Sequence, residues 1–183
     1  GDDFAFDCER PRHCVFLSGH EIAERRVTNA DWRDFIADGG YETPTLWLAD
    51  GWDWRQREDV RAPLYWRGDE SRFTLAGRIA IDWSAPVAHV SYFEADAFAR
   101  WAGARLPTEA EWESFAASAD PHTGNQLDEA GAVVPRFADG AFGEVWEWTQ
   151  SAFAPYPGFA PAEGTVGEYN GKFMCGQFVL KGA

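Results

Sequence analysis

The chain has 183 residues, of which 45% are hydrophobic and 25% charged, and 16 Lys and Arg against 30 Asp and Glu leave a net charge of −14. That length predicts one domain with its own core, and the composition is that of a folded chain rather than a disordered one. The acidic surplus repels phosphate backbones and anionic lipid, and no apolar run approaches the roughly 18 residues that cross a bilayer, so neither nucleic acid nor membrane is an expected partner.

In chain order, His13–Leu17 and Ile22–Val27 read as short strands. Asn29 is placed to cap a helix running to Ala37, with Trp32, Phe35 and Ile36 on one face and Gly39-Gly40 as its stop. Thr43–Trp66, rich in Gly, Pro and Trp, reads as loop. Ser91-x-x-Glu94 is a capping box opening a helix to Ala102, lined by Phe93, Ala97, Phe98 and Trp101. Thr108-x-x-Glu111 opens another to about Ala117, with Trp112 and Phe115 inward. Val145–Thr149 and Gln177–Leu180 read as strands on either side of a loop at Gln150–Gly167. Few regular elements among many aromatics predict an irregular α+β domain.

Ten tryptophans exceed what a core of this size needs. Each buried indole N–H requires an acceptor, which points to an irregular aromatic core or an aromatic-lined pocket. Cys8, Cys14 and Cys175 form neither a paired framework nor a zinc spacing, so reduced thiols and a cytoplasmic location are expected. Cys175 has no base near it in sequence and lies among apolar residues, which predicts a packed thiol rather than a nucleophile.

Several blocks then carry a resemblance. They are Phe6-Asp-Cys-Glu-Arg-Pro-Arg-His13, Arg26-Val-Thr-Asn29, Pro86-Val-Ala-His-Val-Ser-Tyr92, Gly103-Ala-Arg-Leu-Pro-Thr-Glu-Ala-Glu-Trp-Glu113, Gly124-Asn125 and Gly143-Glu-Val-Trp-Glu-Trp-Thr149. Together they resemble the domain shared by formylglycine-generating enzymes and the C-terminal half of ergothioneine-type sulfoxide synthases. Leu46-Trp-Leu-Ala-Asp-Gly-Trp52, Ala62-Pro-Leu-Tyr-Trp66, Tyr156-Pro-Gly-Phe159 and Gly167-Glu-Tyr-Asn-Gly-Lys-Phe-Met-Cys175 favour the sulfoxide synthases. The resemblance implies a sulfatase-modifying-factor-like domain over residues 1–183, related in fold to C-type lectins. It also implies an enzyme that uses non-haem Fe(II) and O2 to join cysteine or γ-glutamylcysteine to trimethylhistidine (hercynine). Two alternatives stay open: a formylglycine-generating oxidase acting on a sulfatase cysteine, and a non-catalytic lectin-like binding module.

The family's iron sits on histidines of an N-terminal helical domain. Here His13, His20, His89 and His122 show no ligand spacing, so the iron ligands are expected outside this segment and the domain is expected to be incomplete at both ends. A quaternary ammonium is held by aromatic faces and a carboxylate, for which Trp146, Trp148, Tyr156, Phe173 and Glu168 are the candidates. A phenol within reach would serve as proton donor. Tyr169 ranks first, ahead of Tyr92 and Tyr156, because its loop is polar and glycine-containing. Formylglycine-generating relatives imply a structural calcium on Gly143, Val145 and Glu147. Glu144 departs from their usual Asn, and the alternative is that Glu147 accepts from backbone amides or an Arg. Arg105 and Glu109–Glu113 are expected to make buried hydrogen bonds, and Asp7, Arg10 and Arg12 to meet donor carboxylates or solvent.

Overall fold

The computed structural model describes residues 5–126, 131, 133–136 and 140–182, with the side chains of Asp7, Tyr169 and Asn170 outside the description. Two helices come first in the chain: α1 (Asn29–Ala37) and α2 (Ala49–Arg57). A three-stranded antiparallel meander follows, β1 (Trp66–Arg67), β2 (Ser71–Thr74) and β3 (Gly77–Ala80). Helices α3 (Tyr92–Trp101) and α4 (Glu109–Ala116) come next. A second sheet pairs β4 (Glu147–Ala152) with β5 (Phe178–Lys181) across the short helix α5 (Thr165–Asn170). The architecture is α+β, with much of the chain in irregular connections.

Capping decides where the helices start. The hydroxyls of Ser91 and Thr108 accept from the backbone N–H of Glu94 and Glu111, and those carboxylates accept in return from the cap N–H groups. Helix α1 has the same box one residue earlier than expected, because Thr28 rather than Asn29 is its cap. Asn29 is instead fully buried and donates to the Asp82 carbonyl at 2.7 Å, tying α1 to the turn after β3.

The larger core gathers Trp32, Phe35, Tyr41, Trp47, Ala97 and Phe98. Trp32 stacks on Phe98 with centroids 4.9 Å apart. Its indole donates to the Tyr41 hydroxyl at 3.2 Å, and that hydroxyl donates to Glu94 at 2.7 Å. The α3 cap carboxylate therefore also satisfies the buried phenol. Burial raises the pKa of Glu94, against the hydrogen bonds from Tyr41 and Ser91. Gly40 has no side chain because the Phe35 ring fills the space a Cβ would need. A smaller cluster forms around Trp112, Ala116 and Ala141.

Several expected elements differ. Among the described residues His13–Leu17 forms no strand, and Ile22–Val27 runs without a ladder partner; the Val27 carbonyl accepts from Val87 and Thr28 bridges Pro86. The alternation is present, but a strand exists only where a neighbour hydrogen-bonds to it. β4 begins at Glu147, opposite Lys181, so Trp146 falls outside the strand. Thr43–Trp66 contains α2, and the meander was not anticipated. Among the described residues no helix is long and apolar enough to cross a membrane.

Candidate functional site

A cavity of ≈ 570 Å³ opens between α3, α4, the chain before α1 and the lead into β4. Its floor is buried, including Trp32 and Trp112 at 2% and 4% exposure. Its rim carries Trp146, which is 61% exposed. Glu147 crosses the site. Arg26 Nε donates to its Oε1 at 2.6 Å, and Trp112 Nε1 donates to its Oε2 at 2.8 Å. Burial pushes the Glu147 carboxyl upward, opposed by these two partners. Trp148 also borders the cavity, with its indole donating to the Val90 carbonyl at 3.0 Å and its ring edge-on to Tyr92.

At the cavity edge Arg105 grips Glu111 bidentately, at 2.8 and 2.7 Å. The hydrogen bonds from Arg105 come first among the causes that hold the Glu111 carboxyl down to about 2. This pair ties the link between α3 and α4 to the first turn of α4, but the bonds are not fully buried as expected, because the Arg105 side chain is 54% exposed.

The predicted substrate residues divide between two places. Trp146 and Trp148 share the cavity. Tyr156 lies by a smaller cavity of ≈ 210 Å³ lined also by Cys8, Glu109 and Lys181. Its hydroxyl donates to Glu109 at 2.7 Å and its ring lies on His13. Burial, and then Glu109, raise the Tyr156 pKa. Lys181 bonds Glu109 and Glu113 at 2.9 and 2.8 Å. Burial lowers its pKa, but those two carboxylates outweigh it and the net direction is upward.

Phe173 packs between Phe153 and Phe159. Glu168 is exposed on α5 and pairs with Lys172 at 3.3 Å. Tyr169 belongs to the same helix, and its side chain lies outside the described residues. Tyr92, the other phenol considered, stacks on Phe178 at 3.7 Å, and burial raises its pKa. Cys175 is not packed as expected; it is exposed in the turn that leads to β5, where only Phe173 reaches inward. Arg10 and Arg12 are also exposed, and the Asp7 side chain lies outside the described residues.

The residues do not fit the implied calcium. Both Glu147 oxygens already accept from N–H donors, leaving a poor ligand for a hard cation. Gly143 is accounted for by its backbone, with φ of +88° and the Thr123 carbonyl where a Cβ would stand, while its N–H donates to Gly182. Val145 borders the cavity. Nor do they fit iron. Among the described residues no three His, Cys, Asp or Glu side chains converge on a point. His13 lies on Tyr156, while His89 sits at φ +62° edge-on to Tyr65.

An Arg was among the partners expected for Glu147 and Arg26 fills that place, whereas Trp112, expected only to point inward, was missed as the second donor. Arg26 does head one of the motif blocks quoted above, which was the available signal.

Residues 1–134 match the sulfatase-modifying factor enzyme 1-like domain. The chain is 39% identical to the hercynine oxygenase of Mycobacterium tuberculosis, over 97% of this chain and 48% of that protein. It is 40% identical to the hercynine oxygenase of Mycolicibacterium smegmatis, over 86% and 43%. It is 30% identical to the formylglycine-generating enzyme of Mycobacterium tuberculosis, over 81% and 69%. The chain spans about half the length of the hercynine oxygenases it matches, or less. With these matches over an α+β fold of this kind, the chain belongs to the sulfatase-modifying factor enzyme 1-like domain family.

Proposed function

We propose that this chain is the sulfatase-modifying-factor half of a hercynine oxygenase, an O2-dependent sulfoxide synthase that joins hercynine to cysteine or γ-glutamylcysteine. One observation carries the reading: identity of 39–40% to three proteins named hercynine oxygenase, over 86–97% of the chain. Formylglycine-generating enzymes match at 30–35% over 58–87% of it.

In this reading the iron belongs to a different part of a longer, cytoplasmic polypeptide, and the present residues bind and orient substrate. Trp146 offers the trimethylammonium group an exposed indole face that needs no rearrangement. Trp148 is already held by Val90 and Tyr92, so it shapes the wall behind that face. Glu168 on α5 supplies negative charge, and Tyr169 beside it supplies the proton. Tyr156 and Phe173 act one layer back, fixing the loop that precedes α5.

The test is the full-length protein with Fe(II), O2, hercynine and each sulfur donor in turn, read by mass spectrometry. The sulfoxide conjugate is expected. Conversion of a sulfatase peptide cysteine to formylglycine, with no conjugate, would replace this reading with that of a formylglycine-generating oxidase.

A further inference from the structure

In the connection between β3 and α3, residues 86–91 form a strap that ties several elements together. Pro86 bridges Thr28, and the Val87 N–H donates to the Val27 carbonyl at 3.0 Å, which holds the lead into α1. The His89 carbonyl accepts from the Leu64 N–H at 3.2 Å, just ahead of β1. The next carbonyl, that of Val90, accepts from the Trp148 indole on β4 at 3.0 Å. Ser91 then caps α3. Consecutive carbonyls therefore serve two different sheets, and the turn that points them apart is at His89. Its φ of +62° lies in the left-handed region, which costs any residue with a Cβ and all but excludes a β-branched one. Such a conformation persists only where the surroundings over-determine it. Here the brace is Tyr65, itself at φ +74°, whose ring meets the imidazole edge-on at 5.1 Å. The Tyr65 carbonyl in turn accepts from the Phe73 N–H of β2 at 3.1 Å. Burial, and then Arg72, lower the His89 pKa, so near neutrality the ring is uncharged and contributes packing.

We propose that His89 is a positioning residue: its left-handed backbone aims the Val90 carbonyl at the Trp148 indole and so fixes the wall behind the exposed face of Trp146. The backbone conformation does this, and the imidazole braces it against Tyr65. Residue 89 in an extended conformation would turn the Val90 carbonyl away. The half-buried indole N–H would lose its acceptor, and the ring, otherwise held only edge-on by Tyr92, would be free to shift. Trp146 and Trp148 border the same cavity, so that shift would change the surface offered to an ammonium group. The inference rests, for its kinetic consequence, on the reading above that gives this wall to substrate.

The test uses the full-length protein with isotope-labelled tryptophan, read by NMR, the Trp148 signal being the one lost in Trp148→Phe. In His89→Val the Trp148 indole proton is expected to exchange with solvent at least ~100-fold faster than in the parent. KM for hercynine is expected to rise about 10-fold with kcat little changed. His89→Gly, free at positive φ, and His89→Asn, which tolerates it, are expected to restore both readings to within about twofold of the parent. Should His89→Val not fold, His89→Ala makes the same comparison with a smaller penalty. An indole proton as protected in the valine or alanine variant as in the parent overturns the proposal. So does its release in His89→Gly and His89→Asn, since the imidazole is then what holds the wall. Conjugate formed with an unchanged KM in His89→Val removes the positioning role and leaves the functional reading. No conjugate from any variant or the parent, with the indole proton behaving as stated, removes the functional reading and leaves the backbone device.

Discussion

Arg26 and Glu147 stand 121 positions apart and meet at 2.6 Å, joining the chain before α1 to the first residue of β4. The Glu147 side chain is 25% exposed and Arg26 8%. The pair therefore sits where removing one partner strands the other's charge. E147Q, which keeps the shape and the bond from Trp112, is expected to destabilise the full-length protein by about 3 kcal/mol. Urea unfolding measures this, as a lower midpoint at unchanged slope.

The same geometry makes a prediction about calcium. Because both Glu147 oxygens accept from nitrogen, neither excess EDTA nor added calcium should move the unfolding midpoint of the full-length protein by more than ~1 °C. Differential scanning fluorimetry in the two buffers checks it, and a clear calcium-dependent rise would restore the metal site.

Arg105 and Glu111 give a pH dependence. The Glu111 carboxyl is held at about 2 against an ordinary 4.5. A depressed acid stabilises the fold fully above the unfolded value and loses that contribution as pH falls toward the folded one. Because Arg105 is half exposed and water screens the pair, E111Q should cost about 1 kcal/mol near neutrality, and the gap to the parent should close between pH 4.5 and 2. Thermal unfolding of both proteins across that range reads it; a gap that stays constant would show that the pair contributes nothing through its charge.

Trp146 tests the substrate face. It is 61% exposed, so W146A should leave the unfolding midpoint in place. The loss of a cation–π surface should raise KM for hercynine about 10-fold with kcat little changed. Steady-state kinetics with hercynine varied at saturating sulfur donor decides the point. An unchanged KM would move the ammonium site elsewhere.

Tyr169 tests the proton donor. Y169F should lower kcat about 100-fold at nearly constant KM, because a phenol that gives its proton in the transition state contributes little to ground-state binding. A change in KM alone would make it a binding residue instead.

Helices α1, α3 and α4 were legible because their signals are local. A Ser or Thr three residues ahead of an acidic side chain closes its own box at Thr28, Ser91 and Thr108. The one-residue error at Asn29 came from a distant partner, the Asp82 carbonyl, which no local rule contains. α2 was missed because Gly51 and three tryptophans between 47 and 54 read as loop. Yet Gly51 is needed there because the Phe93 side chain occupies the space of its Cβ. The aromatic residues were visible, and their division was not. Trp146 and Trp148 border one cavity, while Tyr156 and Phe173 are drawn to Glu109 and to Phe153 and Phe159.

The amino-acid order alone determined the capped helices, the α+β class and the motif blocks that mark the family, because each is written in residues close together in the chain. Only the tertiary structure decided that Glu147 is held by Arg26 and Trp112, and that this group borders the same cavity as Trp146 and Trp148. Charge pairing across more than a hundred residues depends on distances in space, and spacing along the sequence does not encode it.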